Sequence, residues 1–294
     1  MAAYCWTAST YKNPYMAITV LQSTSGNYSI RQRLVRPVVY LDHWAVRLFS
    51  DDLPLQSRFI DALKTANGTW LFSGANLMEF TAMTDIQQAA RTELLLAAAM
   101  PNMYVADTTL DRGFLLEDGA PRNANSPEPN WMLADLLRRA AIQRGNINTT
   151  RFIQDAVTYG PNLRPIFDDM KAGIVTAVNA VTSDQARIAT ATKFKPSPGM
   201  TLRQALSQEI IRSHFVDRSL RFDEHDAVDL IHATPAAIVC DLVLLDSAWS
   251  TKVNNAAKRL RNAGITGHIA ECFNKKSVTE FLSRLEERAA KALR

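Results

Sequence analysis

The sequence predicts an α/β protein: a three-layer α/β/α sandwich with a central parallel sheet and a large all-helical insertion. Three observations carry that reading. Two apolar runs, residues 38–41 and 238–245, each end in an aspartate, Asp42 and Asp246. Strand and helix patterns alternate before residue 105 and resume after residue 222, the order that builds a parallel layer. Between them, residues 106–221 carry a mostly helical pattern.

Residues 1–36 are rich in Ser, Thr, Tyr and Asn with little periodicity, and read as a loosely ordered N-terminal arm ending in Arg31, Arg33 and Arg36. A strand over 38–41 leads to a short helix around 45–49. Pro54, suited to the first turn of a helix, opens another that runs to about residue 65. Residues 69–72 read as a second strand, 75–83 as a helix carrying Glu79, 86–99 as an Ala/Leu-rich helix and 103–105 as a third strand. Residues 119–130 contain Pro121, Pro127 and Pro129 and form no regular element. Helical patterns follow over 131–144, 150–159, 164–192 and 201–220, punctuated by Gly160-Pro161, Pro196 and Pro198. The alternation then resumes with a helix over 224–233, a break at Pro235, a strand over 238–245, a helix over 247–262 and a last helix from about 277. Residues 37–105 and 222–294 thus make one α/β domain, with 106–221 inserted into it. No internal repeat, low-complexity tract or heptad pattern interrupts this order.

Composition excludes several classes. Over 294 residues the chain is 47% hydrophobic and 21% charged, with a formal net charge of +4, as in ordinary globular proteins. Cys5, Cys240 and Cys272 are far apart with no CxxC, which encodes neither a disulfide framework nor a zinc knuckle, so they read as reduced thiols. No apolar run approaches the roughly 20 residues that cross a bilayer, and the apolar patch at 16–21 lacks the basic flank of a signal peptide. The expected location is cytoplasmic, with no membrane partner. There is no Walker A loop, GxGxxG, GxSxG or HExxH, so nucleotide-cofactor, triad-hydrolase and zincin chemistries lack a signal.

Asp42, Glu79, Asp229 and Asp246 belong to four separate elements that a parallel sheet brings to one edge, where open α/β sheets bind ligands. Four carboxylates suit a hard divalent cation, Mg2+ or Mn2+, which takes oxygen ligands and binds phosphates. Asp226, Asp241 and His232 are supporting candidates. Helix capping is the competing role for Asp241 and Asp246, because aspartate caps helices well.

Tyr40-Leu41-Asp42, Asn76-Leu77-Met78-Glu79-Phe80, Asp229-Leu230-Ile231-His232-Ala233 and the run from Cys240 to Asp246 together resemble the motif series of PIN domains. The likeness covers roughly residues 38–85 and 222–270. It implies an α/β/α sandwich and a Mg2+- or Mn2+-dependent single-strand ribonuclease. Asp42 is then the first-strand metal ligand, Glu79 the second acid, Asp229 the third and Asp246 the fourth. The family includes toxins of bacterial toxin-antitoxin pairs, which makes RNA, an antitoxin protein and a second copy of the chain the partners to consider. Many PIN domains carry a small hydroxyl residue and Asn after the first Asp, where this chain has His43-Trp44.

Two rival readings stand beside it. His225, Asp229 and His232 share one helical face, and His225-Asp226 resembles the His-Asp pair of another phosphohydrolase family, so a different metal-dependent phosphohydrolase is one. A catalytically degenerate PIN-like module that binds RNA or protein is the other. For RNA contact the candidates are Arg138, Arg139 and Arg144, with Arg151, in the insertion, and Lys252, with Lys258, Arg259 and Arg261, after Asp246. Trp44, Trp131 and Trp249 serve either as base-stacking platforms or as core.

Overall fold

The computed structural model describes residues 6–7, 17–22, 28–106, 146–147, 152–193, 195–197, 199–216 and 222–292. Strands β1 (Trp6–Thr7), β2 (Ile18–Gln22) and β3 (Tyr28–Gln32) come first, then β4 (Val38–Leu41). Asp42 caps α1 (His43–Asp51), and Asp52 caps α2 (Leu53–Thr65) with Pro54 in the first turn. Next come β5 (Thr69–Ser73), α3 (Gly74–Thr81), α4 (Ile86–Ala99) and β6 (Met103–Ala106). The middle of the chain holds β7 (Asn146–Ile147), α5 (Phe152–Thr158), α6 (Gly160–Thr182), α7 (Gln185–Lys193) and α8 (Leu202–Val216). It closes with α9 (Glu224–Val239), β8 (Leu242–Leu244), α10 (Ser247–Asn262), β9 (Glu271–Phe273) and α11 (Val278–Ala292).

Five of these strands form one all-parallel sheet in the order β6-β5-β4-β8-β9. The earliest of the five, β4, lies at its centre: the chain builds outward through β5 and β6, returns, and continues on the other side of β4. The order therefore reverses between β4 and β8, and loops leaving the two strands diverge to open a crevice. Helices flank the sheet on both faces, so every strand residue of β4 is buried and the run is continuously apolar. Val39 and Leu41 pack with Phe49, Phe59, Trp70 and Phe281 on one side. Val38 and Tyr40 pack with Leu206, Ala233, Val243 and Val253 on the other. On the first side, Phe59 meets Trp70 edge-on at 5.7 Å and Phe72 stacks on Phe80 at 6.3 Å, favourable aromatic geometries.

Three expectations are corrected, and one strand was not anticipated. The apolar run 238–245 is not one strand: α9 continues through Pro235 to Val239 and only Leu242–Leu244 is extended. Pro235 removes one helical hydrogen bond, but Ala236 and Ala237 are buried against the sheet and hold the last turn in place. The helix over 164–192 is two helices, parted at Ser183-Asp184, where the Asp184 carboxylate accepts from the Ala186 N–H at 2.9 Å. Strand β9 has only three residues and an exposed Glu271, too little for a pattern to show. The insertion is not helical throughout, since β7 pairs antiparallel with β1.

Within the stretch read as an arm, β2 and β3 pair antiparallel. Gln32 docks them onto the sheet edge: its side chain accepts from the Val105 N–H at 2.7 Å and donates to the Val105 carbonyl at 3.3 Å. Ala205, Leu206 and Ile210 of α8 share a core cluster with Val253 and Leu260 of α10, so part of the inserted chain belongs to the α/β core. No helix among the described residues is long and apolar enough to cross a membrane. Burial raises the Cys240 thiol well above its ordinary range and pushes Cys272 up to about 12, which leaves both protonated and unreactive.

Candidate metal centre

Asp42 sits where β4 ends. Its backbone N–H donates to the Leu244 carbonyl at 3.0 Å, which fixes it beside β8, and its carboxylate accepts from the His43 N–H at 2.8 Å. Asp246 follows β8 one residue later, after Leu245, and accepts from the Trp249 N–H at 2.7 Å. Capping and site-building therefore coincide: each aspartate uses one oxygen to start a helix and keeps the other for the crevice. Glu79 arrives by a third route. Ser73 and Asn76 form a capping box that starts α3 directly from β5, and the Asn76 amide donates to the Leu41 carbonyl at 3.1 Å, one residue before Asp42. Asp229 and His232 lie three apart on one face of α9.

The four carboxylates line one cleft of about 530 Å³ at the carboxyl edge of β4 and β8. Ligand atoms of Asp42, Glu79 and His232 all lie within 4.8 Å of one another. His232 is 2% exposed; its Nδ1 meets the Tyr40 hydroxyl and its Nε2 is 3.3 Å from Glu79 Oε2. That second approach has an ion-pair distance but not the alignment of a hydrogen bond, so Nε2 and Oε2 are both buried without a hydrogen-bond partner.

Crowded carboxylates in a half-dry cleft raise one another's proton affinity. Burial, then the nearby Glu79, pushes Asp42 up to about 6. Burial, then Asp42 and Asp246, pushes Asp229 up to about 8. For His232 burial favours the neutral ring, but Glu79, Asp42 and Asp229 together outweigh it and raise its affinity for a proton. Burial, then Asp42 and Glu79, hold the Tyr40 hydroxyl well above its ordinary value. His43, at the cleft wall, is lowered by burial and by Arg47.

The supporting candidates separate. Asp226 does not line the cleft; it meets Lys252 at 3.4 Å. Lys252 is further held by His214 Nε2 at 3.0 Å and by the Trp249 ring at 4.3 Å, which commits this cation locally. Asp241 lies at the opposite, amino edge of the sheet. It precedes β8, accepts from the Val38 N–H at 2.7 Å and pairs with Arg36 at 2.5 Å, bolting β8 to β4. It cannot reach a ligand held by Asp42. Trp249 is buried as core, whereas Trp44 lines the cleft. Arg138, Arg139, Arg144 and Arg151, and Trp131, lie outside the described residues.

Sequence reasoning missed part of the wall. Arg164, Phe167 and Lys171 project from α6 into the cleft. A Cβ at Gly160 would come within 2.2 Å of the Thr81 carbonyl oxygen, so only glycine lets α6 start this close to the end of α3. Gly160-Pro161 was visible as a break in the chain; the approach it permits was not. Tyr40 and Asn76, which hold His232 and Asp42 in place, were visible only as members of the motifs around the acids. No protein-family model, no curated protein and no solved structure matches this chain.

Proposed function

We propose that this chain is a divalent-metal-dependent ribonuclease, built as a PIN-like three-layer sandwich, that hydrolyses phosphodiester bonds of single-stranded RNA. One observation carries the reading: four carboxylates from four elements converge at the switch point of a parallel sheet with too little positive charge around them. Arg164 and Lys171 are the fully charged cations of the wall, and Lys171 is shared with Asp168 at 2.6 Å and Glu224 at 3.5 Å. The all-oxygen part of this donor set fits Mg2+ or Mn2+, and the buried unpartnered Glu79 Oε2 is a ligand atom in waiting.

Asp42 and Asp246 would hold the ion most directly. Such an ion, when bound, activates water and stabilises the departing oxygen of a phosphodiester. Asp229 and Glu79 complete the acidic ring and orient the attacking water, leaving a 5'-phosphate on one product. Arg164 and Lys171 are placed to receive flanking phosphates, and Trp44 and Phe167 offer faces to an unstacked base. Asp42→Asn and Asp246→Asn keep the caps but remove a charged ligand, so Mn2+-dependent cleavage of single-stranded RNA should fall by orders of magnitude with the fold intact. Equal activity in wild type and both variants would refute the reading. Retention of RNA without any cleavage by the wild type would make the chain a binding module instead.

A further inference from the structure

His232 is the feature that an all-carboxylate site does not account for. It is almost wholly buried, its Nε2 has no hydrogen-bond partner, and that atom lies in the same cluster of ligand atoms as the Asp42 and Glu79 carboxylates. A buried imidazole of purely structural purpose satisfies both ring nitrogens, because an unpaired buried polar group is costly. Here only Nδ1 is satisfied, by the Tyr40 hydroxyl. This is the arrangement of an imidazole ligand and its outer partner: one nitrogen is anchored, which sets the tautomer and the ring plane, and the other is presented to the ion.

Resting on the nuclease reading of the same cleft, we infer that the bound ion is a first-row transition metal that takes, besides the carboxylates already assigned to it, one nitrogen, His232 Nε2, which clusters with ligand atoms of Asp42 and Glu79, and that Tyr40 is the positioning residue for that nitrogen. Mg2+ and Ca2+ prefer oxygen, whereas a mixed nitrogen and oxygen set favours Mn2+, Fe2+, Co2+ and Zn2+. For Nε2 to offer its lone pair, Nδ1 must carry the proton and donate it to the Tyr40 oxygen; a hydroxyl both donates and accepts, so Tyr40 can take that role.

Pulsed electron paramagnetic resonance of Mn2+ bound to the full chain tests this without any turnover. The wild type should show a nitrogen coupling that changes when the protein is grown with 15N-histidine. The coupling should vanish in His232→Gln and persist in His43→Gln and His225→Gln, the two other histidines at the cleft. In competition titrations the preference for Mn2+ over Mg2+ should fall by about tenfold or more in His232→Gln, and by less in Tyr40→Phe. Mn2+ bound with no nitrogen coupling overturns the inference and leaves the nuclease reading standing. Failure of the wild type to bind Mn2+ at all overturns both. If His232→Gln does not fold, the two controls decide: loss of the coupling in either one assigns the nitrogen elsewhere and overturns the inference.

Discussion

Replacing Asp42 by Asn should make the metal-free protein more stable. Asp42 is 7% exposed, and burial followed by repulsion from Glu79 moves its carboxyl from 3.8 to about 6. Keeping that group ionised in the fold at pH 7.5 therefore costs up to about 3 kcal/mol relative to the unfolded chain. Asn keeps the shape and still accepts from the His43 N–H, since it caps helices as well as Asp. Its amide remains buried, which returns part of the gain, so a net stabilisation of about 1–2 kcal/mol is expected. For a protein of this size that is a rise in melting temperature of roughly 2–3 °C. The pH dependence has a definite sign. With its proton affinity raised by folding, Asp42 binds more protons in the native state, so its own contribution to wild-type stability is fully present below about pH 4 and is lost as pH rises through about 6. The advantage of Asp42→Asn should therefore be absent near pH 4 and full at pH 7.5, read by calorimetry or circular dichroism in the presence of a chelator. Saturating Mn2+ should reverse the order, because an ion bound only by the native wild type adds about 2.7 kcal/mol at a hundredfold excess over its dissociation constant. A variant that melts below wild type at pH 7.5 in chelator would show that Asp42 is a stabilising cap and that no charge is being held against its will.

The remaining predictions concern the cleavage site, the wall and the far edge of the sheet. Loss of Mn2+-dependent RNA cleavage in Asp42→Asn and Asp246→Asn, and loss of the nitrogen coupling in His232→Gln, test the metal centre from two independent sides. Arg164→Ala with Lys171→Ala should weaken RNA binding and flatten its salt dependence by about 0.7 of a log-log unit for each phosphate contact removed, with Mn2+ affinity unchanged; filter binding across a salt series measures it, and an unaltered slope refutes the assignment. Asp241→Ala should destabilise the fold by about 2–3 kcal/mol, because the buried Val38 N–H and the Arg36 guanidinium lose a charged acceptor. That variant should still bind Mn2+ normally once folded; impaired binding would mean that the amino edge of the sheet communicates with the cleft.

The sheet and its acids were legible for a simple reason. A strand buried on both faces is a short unbroken apolar run, and an aspartate that ends it can act at once as helix cap and as ligand, so the two roles write the same letters at Asp42 and Asp246. The same logic failed at residues 238–245, where a buried helix end and a buried strand are equally apolar and period alone cannot part them. The partnership of Tyr40 with His232 was hidden differently. In β4 alternate residues face opposite sides, and Tyr40 points to the side on which α9 packs, a fact about which helix covers which face that no local pattern records. Arg164 and Lys171 were beyond reach for a further reason: they enter the cleft only because a bare glycine lets α6 begin against Thr81, a contact between distant parts of the chain.

What keeps four acids together in the absence of a cation is the fold beneath them. The β4–β8 register sets Leu41 beside Leu244, so Asp42 and, one residue further on, Asp246 leave neighbouring strands at the same edge. The Ser73–Asn76 box and the Asn76–Leu41 hydrogen bond fix α3, and Phe80 stacked on Phe72 holds its last turn to the sheet. Each of these devices is neutral and buried, and each is indifferent to the charge it restrains. Burial first, and the acids' mutual repulsion second, raise Asp42 and Asp229; ordinary core packing carries that cost, and His232 offsets part of it. A site balanced by its own cations would have no electrostatic need for a metal. This one leaves the imbalance standing at the point where two loops diverge, and a bound divalent cation of the kind proposed above would relieve it.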